Sequence, residues 1–125
     1  MTKLLILDDS NVIRQVIRIY LTGLPYQLVM AADAESGLRE CRQGNAEAVI
    51  ADINLPGMSG IDFLKTLRAD PDPRLKSLPV VLLTGQKGDA LRTEGLLAGA
   101  NAFVTKPVVG PALREALAEA LKGKG

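Results

Sequence analysis

Short apolar runs alternate with amphipathic segments along the whole chain. The runs cover residues 3–7, 27–31, 48–51, 78–83 and 102–105. Each run is rich in Val, Ile, Leu or Ala and lacks polar alternation, which is typical of strands that are buried on both faces. The pattern therefore predicts five strands, each separated from the next by a helical segment.

Five helices are expected between and after these strands, because apolar residues recur there with helical spacing. Ser10, Asp33 and Ser59 are suitable N-caps for the first three helices, and the second is expected to stop at Gly44. The third is expected to run to about residue 69, and the fourth over residues 89–100. Pro111 fits the first turn of the fifth helix, where its missing N–H is harmless.

This alternation predicts an α/β fold with a doubly wound, five-stranded parallel sheet and helices on both faces. The length of 125 residues fits one domain over residues 1–125. In open sheets of this class, functional residues collect at the carboxyl ends of the strands.

Composition removes several classes of function. The net charge is +1 without a basic stripe, so nothing indicates direct DNA binding, and no segment is long enough for membrane insertion. The absence of histidine excludes Ser-His-Asp and Cys-His catalysis and imidazole zinc sites. A single cysteine, Cys41, excludes an internal disulfide and favours a cytoplasmic location.

Polar residues stand where four of the predicted strands end. Asp8 and Asp9 follow the first strand, Asp52 follows the third, Thr84 the fourth and Lys106 the fifth. Any one of them could be a turn or capping residue. Together they predict three carboxylates, a hydroxyl and an ammonium group at one edge of the sheet.

Such a cluster suits phosphoryl chemistry. Carboxylate oxygens without His or Cys favour a hard cation such as Mg²⁺, which would relieve the repulsion between Asp8 and Asp9. Lys106 could neutralise phosphoryl oxygens, and Asp52 could be the nucleophile that forms an aspartyl-phosphate.

These motifs resemble the receiver (response-regulator) domain family of two-component signalling over essentially the whole chain. The resemblance rests on Asp8-Asp9, on the segment DINLPGMSG that begins at Asp52, on Thr84 and on Lys106-Pro107. It implies a flavodoxin-like (βα)5 fold with strand order 2-1-3-4-5 and a cis Lys106–Pro107 bond. The opening DDSNVIR also resembles stand-alone receivers of the chemotaxis type.

The resemblance implies a role for each matching residue. Asp52 would accept a phosphoryl group from a histidine kinase or phosphotransfer protein. Asp8, Asp9, Asp52 and the backbone carbonyl of Asn54 would hold Mg²⁺. Lys106 and Thr84 would contact the phosphoryl group. The domain would be a phosphoacceptor with possible self-dephosphorylation and not an enzyme. Asn54 and Gln86 would tune the rate of dephosphorylation.

The resemblance also implies an output surface and a kinase surface. Thr84 and Phe103 would form the switch, and the fourth helix, fifth strand and fifth helix would bind a downstream protein. Gly95 and Gly99 lie in the fourth helix, where we expect each to lower helix stability by up to ~1 kcal/mol relative to Ala. The small side chains of Ala112, Ala116 and Ala120 would offer little steric hindrance on the output surface, although alanines on a helix are more often simply good helix formers. Kinase choice is expected on the first helix, around Asn11, Val12, Arg14 and Gln15.

Three alternatives remain open from the sequence. The chain could be a receiver cut from a larger hybrid kinase or regulator, or a small Mg²⁺-dependent phosphohydrolase that uses Asp52. A flavodoxin-like cofactor protein is the third, although Asp8 and Asp9 would repel an FMN phosphate.

Overall fold

The computed structural model of the protein describes residues 1–85 and 89–122, with the side chain of Asp89 outside that description. Five strands form one sheet in the order β2-β1-β3-β4-β5, and every neighbouring pair is parallel. The strands are β1 (Thr2–Leu7), β2 (Tyr26–Ala31), β3 (Ala48–Asp52), β4 (Val80–Thr84) and β5 (Ala102–Thr105). The predicted doubly wound, flavodoxin-like architecture is confirmed.

The described part of the chain contains six helices, one more than predicted. They are α1 (Asn11–Tyr20), α2 (Ala34–Arg42), α3 (Gly60–Arg68), α4 (Pro73–Lys76), α5 (Asp89–Ala98) and α6 (Gly110–Leu121). The additional helix, α4, has only four residues and therefore no helical repeat to detect. Asp72 caps it by accepting a hydrogen bond from the backbone N–H of Arg74. The predicted fourth and fifth helices are α5 and α6.

Two predicted boundaries were wrong by two residues each. The fourth strand begins at Val80 rather than Leu78, because Leu78 donates its N–H to Leu75 in the turn that closes α4. Helix α5 ends at Ala98, and Gly99 follows with φ of 102°. Gly99 thus ends the helix, where glycine is favoured, and does not weaken its interior as expected.

The sheet separates two apolar layers, because successive strand residues point to opposite faces. Leu5 and Leu7 pack with α2 and α3 on one face, and Leu4 and Ile6 pack with α1 and α6 on the other. The three predicted N-caps are confirmed, since side-chain oxygens of Ser10, Asp33 and Ser59 accept backbone N–H groups of Ile13, Ser36 and Asp62.

The alanine row on α6 does not lie on the surface as expected. Ala116 and Ala120 are buried in the layer beneath α6, and only Ala112 is exposed. Small residues let the helix approach the sheet closely, so the row serves packing. Across residues 1–85 and 89–122, every helix is too short or too polar to span a bilayer.

Candidate functional site at the carboxyl end of the sheet

The strands bring the predicted polar residues to one edge of the sheet. Asp52 is the last residue of β3 and Thr84 the last of β4, while Asp8 directly follows β1 and Lys106 directly follows β5. Asp8 is fully buried, and Asp52 is 3% exposed. Because β1 and β3 are adjacent at the centre of the sheet, their carboxylates meet in its most buried part.

Lys106 bridges the two buried carboxylates. Its Nζ donates a hydrogen bond to Oδ2 of Asp52 at 2.9 Å and lies 3.5 Å from Oδ2 of Asp8. Burial alone would lower the pKa of Lys106, but the hydrogen bond to Asp52 and the charges of Asp52 and Asp8 raise it above its usual value. The ammonium group therefore stays charged at neutral pH.

Asp8 is fixed by its neighbours along the chain. Its Oδ1 accepts the backbone N–H of Ser10 at 2.8 Å, and its carbonyl oxygen accepts Nη1 of Arg14 at 2.6 Å. Its buried Oδ2 accepts no hydrogen bond from the described residues. Burial, and then the charge of Asp52, raise the pKa of this carboxyl, although the Ser10 N–H and Lys106 partly oppose the rise.

Asp52 is held by the loop that follows β3. Its Oδ1 accepts the backbone N–H of Asn54 at 3.1 Å. The loop returns so closely that the N–H of Gly60 bonds the carbonyl of Ile53 at 2.8 Å. A Cβ at Gly60 would collide with the carbonyl oxygen of Asp52. Glycine is therefore needed where α3 begins, close to the backbone of Asp52.

The acidic residues fit a hard cation. One carboxylate oxygen from each of Asp8, Asp9 and Asp52 lies within 4.8 Å of the others. Asp9 is exposed, so the group opens to solvent on one side. The buried Oδ2 of Asp8, which lacks a hydrogen bond among the described residues, is the type of atom that a metal ion or its bound water would satisfy.

The predicted switch residues lie on the adjacent strands β4 and β5. Thr84 is buried at the end of β4, and Phe103 is half-buried on β5 opposite Leu82. The guanidinium carbon of Arg92, on α5, lies 5.1 Å from the centre of the Phe103 ring, which is a cation–π distance. The Asn54 side chain is exposed. Gln86 lies outside the described residues.

The sequence did not predict the contacts that three residues near the site make in the structure. Arg14, one of the four residues expected to influence kinase choice, also donates a hydrogen bond to the backbone carbonyl of Asp8. Gly60 supports Asp52, and Arg92 covers Phe103. The short Ser59-Gly60 segment before a helix was a usable signal for a tight return, whereas neither arginine contact has a sequence pattern that could have revealed it.

Comparisons with known proteins agree with this geometry. The sequence profile described as the response regulator receiver domain matches residues 4–118. The chain is 37% identical over 114 residues to chemotaxis protein CheY of Pseudomonas aeruginosa, and the match covers 90% of each protein. It is 35% identical over 116 residues to chemotaxis protein CheY-3 of Vibrio cholerae, with 92% of this chain and 88% of that protein covered.

A solved structure gives the same result. The chemotaxis response regulator CheY4 of Vibrio cholerae superposes with a TM-score of 0.88 at 30% identity, covering 97% of this chain and 99% of that one. The cis Lys106–Pro107 bond is also present, as the resemblance implied. Neither the phosphohydrolase nor the FMN-protein alternative receives support from these matches. The chain therefore belongs to the response regulator receiver domain family of two-component signalling and is similar to its chemotaxis members.

Proposed function

We propose that this receiver accepts one phosphoryl group on Asp52 from the phosphohistidine of a histidine kinase or phosphotransfer protein. The observation that carries the proposal is the contact of Lys106 with Asp52 at 2.9 Å inside a cluster of three carboxylates. A nucleophilic carboxylate with an adjacent fixed ammonium group suits phosphoryl transfer, because the ammonium can neutralise the charge on the transferred group.

The transfer itself needs little covalent chemistry from the protein. An oxygen of Asp52 forms a bond to phosphorus while the phosphorus–nitrogen bond of phosphohistidine breaks, and the imidazole leaves. Lys106 would exchange its contact with Asp52 for one with a phosphoryl oxygen, and the Thr84 hydroxyl would donate to another. Mg²⁺ held by Asp8, Asp9, Asp52 and the Asn54 carbonyl would neutralise negative charge on the phosphoryl group.

Dephosphorylation would depend on how water reaches the phosphorylated carboxylate. The Asn54 side chain is exposed and its backbone N–H bonds Asp52, and we assign Asn54, with Gln86, to tuning the lifetime of the phosphorylated state. A chain that accepts and loses a single phosphoryl group behaves as a signalling domain rather than as an enzyme with a turnover substrate. A histidine kinase or phosphotransfer protein as partner and a single cysteine are both consistent with a cytoplasmic location.

The proposal is tested by intact-mass spectrometry of the protein with acetyl phosphate, with and without Mg²⁺. One added phosphoryl group that requires Mg²⁺ is expected on the wild type and on Asp62→Asn, a control that removes an exposed carboxylate of α3. Asp52→Asn should take none. Equal phosphorylation of Asp52→Asn would contradict the assignment.

A wild type that gains no mass has a second test, because rapid hydrolysis could hide the product. Beryllium fluoride mimics a stable phosphoryl group, and its binding is visible by ¹⁹F NMR. Binding to the wild type but not to Asp52→Asn would keep the proposal. Absence of both phosphoryl transfer and beryllium fluoride binding would overturn it.

For the output, we propose the surface formed by α5, β5 and α6. Phe103 lies within it, and Arg92 covers the ring. Leu96, one helical turn after Arg92 on α5, is 58% exposed. An apolar side chain left in solvent on this helix is suited to a phosphorylation-dependent protein contact.

Coupling between the site and this surface is expected to run through Lys106 and Thr84. The NMR signals of the Phe103 ring should shift when the wild type is phosphorylated. Lys106→Ala should still accept some phosphate without that shift. An equal Phe103 shift in Lys106→Ala would argue against the coupling.

A further inference from the structure

Strand β2 leaves one edge of the sheet open. Among the described strands it pairs only with β1, in an uninterrupted register from Tyr26 to Ala31. Its sequence, YQLVMA, has no charge, no proline and no bulge. Soluble proteins generally protect an edge with one of these features or by making the strand short. The other edge strand, β5, has only four residues and leads into Lys106–Pro107.

A groove of about 560 Å³ runs beside this open edge, between β2 and the end of α1. Its main lining residues are Arg18, Leu21, Leu24, Tyr26, Leu28 and Met30. The last three alternate along β2, so their side chains share one face of the strand. They pack on the apolar layer of α1 and α6 but stay half-buried. The groove therefore combines half-buried apolar side chains with polar surface, beside the outward-facing backbone groups of β2.

The charge of the groove favours one kind of occupant. Arg18 is the only charged residue in the lining, it is exposed, and it forms no ion pair within the described residues. A second copy of the chain related by a two-fold axis would bring the same arginine and no carboxylate from this surface. A segment of another protein that carries an acidic residue complements the groove better.

We propose that the β2 edge and this groove form a docking site for an extended, acidic segment of another protein, which adds to the sheet as a strand beside β2. Main-chain hydrogen bonds would supply affinity, and alternate apolar side chains would lie over Tyr26, Leu28 and Met30. A carboxylate of the segment would pair with Arg18. The docking uses no residue of the acidic site and requires neither Mg²⁺ nor phosphorylation, so its failure would leave the proposed phosphotransfer function untouched.

The experiment begins with selection of displayed random peptides of about twelve residues on the full chain. Enriched peptides are synthesised with a fluorophore, and their affinities are measured by fluorescence anisotropy for the wild type, Arg18→Glu and Lys76→Glu. Lys76 is an exposed cation on α4, far along the chain from the groove, and serves as the matched charge control. Hydrogen exchange with and without peptide then locates the contact.

The expected peptides alternate apolar residues and carry at least one acidic residue. Binding should weaken about tenfold in Arg18→Glu and remain unchanged in Lys76→Glu. Peptide binding should slow the exchange of amides in residues 26–31. N-methylation of alternate amides of the peptide should abolish binding. Circular dichroism of Arg18→Glu verifies that the variant is folded.

Four results would overturn the proposal. They are no enrichment in the selection, equal affinity for wild type and Arg18→Glu, binding that leaves residues 26–31 unprotected, and full binding of the N-methylated peptide. Concentration-dependent dimers that protect residues 26–31 without peptide would instead assign the edge to a second copy.

Discussion

Helices α3 and α5 lie next to each other on the same face of the sheet, yet they are anchored very differently. Helix α3 buries Gly60, Ile61, Phe63, Leu64 and Leu67 and begins at a side-chain cap. In the described part of α5, Gly95 alone is buried, and Leu97 is 85% exposed. Helix α3 therefore has far more apolar contact to lose than α5.

The contrast matches the position of each helix relative to the site. Helix α3 starts where the loop after β3 returns beneath Asp52, so it holds the carboxylate in place. Helix α5 packs over Phe103, the residue expected to move in the switch. A receiver needs a fixed acceptor and a movable output element, and segments of low local stability are the ones that move in such switches.

The largest expected effect is on stability, at Phe63. Its side chain lies fully buried on the inner face of α3, and truncation to Ala should lower the free energy of unfolding by about 4 kcal/mol through lost contact and a cavity. Leu97→Ala on α5 should change it by less than about 0.5 kcal/mol, because that side chain is already in solvent. Urea unfolding followed by circular dichroism measures both. Similar losses in the two variants would refute the difference between the helices.

The next effect tests the close approach of Gly60 to the backbone of Asp52 and Ile53. Gly60→Ala should cost about 3 kcal/mol, because the new methyl group meets backbone atoms of Asp52 and Ile53, which cannot rotate away. It should also weaken Mg²⁺ binding, measured by calorimetry. Gly85→Ala is the control, since nothing lies within 4 Å of the added Cβ there, and it should change stability by less than about 1 kcal/mol. Normal stability of Gly60→Ala would contradict the tight approach.

A smaller effect is expected from the charge of Asp8. Its pKa is raised, chiefly by burial, so ionisation in the folded state is unfavourable and stability is lost as pH rises from the unfolded-state pKa through the folded-state pKa. Metal-free Asp8→Asn should therefore be more stable than the wild type at pH 8, by about 1 kcal/mol. The two proteins should converge at pH 3, where Asp8 is protonated in both states.

Addition of Mg²⁺ should reverse this order. The wild type gains stability from the bound ion, whereas Asp8→Asn, with one carboxylate fewer, gains less. Urea midpoints with and without Mg²⁺ at both pH values provide the measurement. A destabilised Asp8→Asn in the absence of metal at pH 8 would show that the contact with Lys106 outweighs the cost of burying the Asp8 charge.

The sequence was sufficient for the parts of the molecule that depend on strand ends. Apolar runs located the strands, and parallel pairing then placed Asp8, Asp52, Thr84 and Lys106 at one edge without any knowledge of side-chain conformation. The family resemblance supplied the strand order and the cis bond before Pro107.

Features that depend on the path of a loop or on small side chains were not predictable. Helix α4 is too short for a periodic pattern. Alanine suits both exposed and buried helix positions, so the burial of Ala116 and Ala120 was missed. The bond from Arg14 to the Asp8 carbonyl involves a backbone acceptor, which every residue possesses, and no residue pattern identifies it.

A small stability effect, and the closest test of the movable side, is expected at Gly95. Alanine there gains up to about 1 kcal/mol of helix propensity. The added Cβ would lie 2.8 Å from Cε1 of Phe103 and 2.9 Å from Cδ1 of Leu82. Unlike the backbone beneath Gly60, these side-chain atoms can turn aside. The net change in stability should therefore stay within about 1 kcal/mol.

The informative readout for Gly95→Ala is the Phe103 ring. Its displacement should remove the contact with Arg92 and alter the aromatic NMR signals before any phosphorylation. Thr93→Ala, at an exposed position of the same helix, should gain propensity and leave the ring unchanged. If Gly95→Ala behaved like Thr93→Ala, the ring would not be held against α5. The two helices would then differ in burial alone, and any coupling between the site and the output surface would have to act through residues other than Phe103.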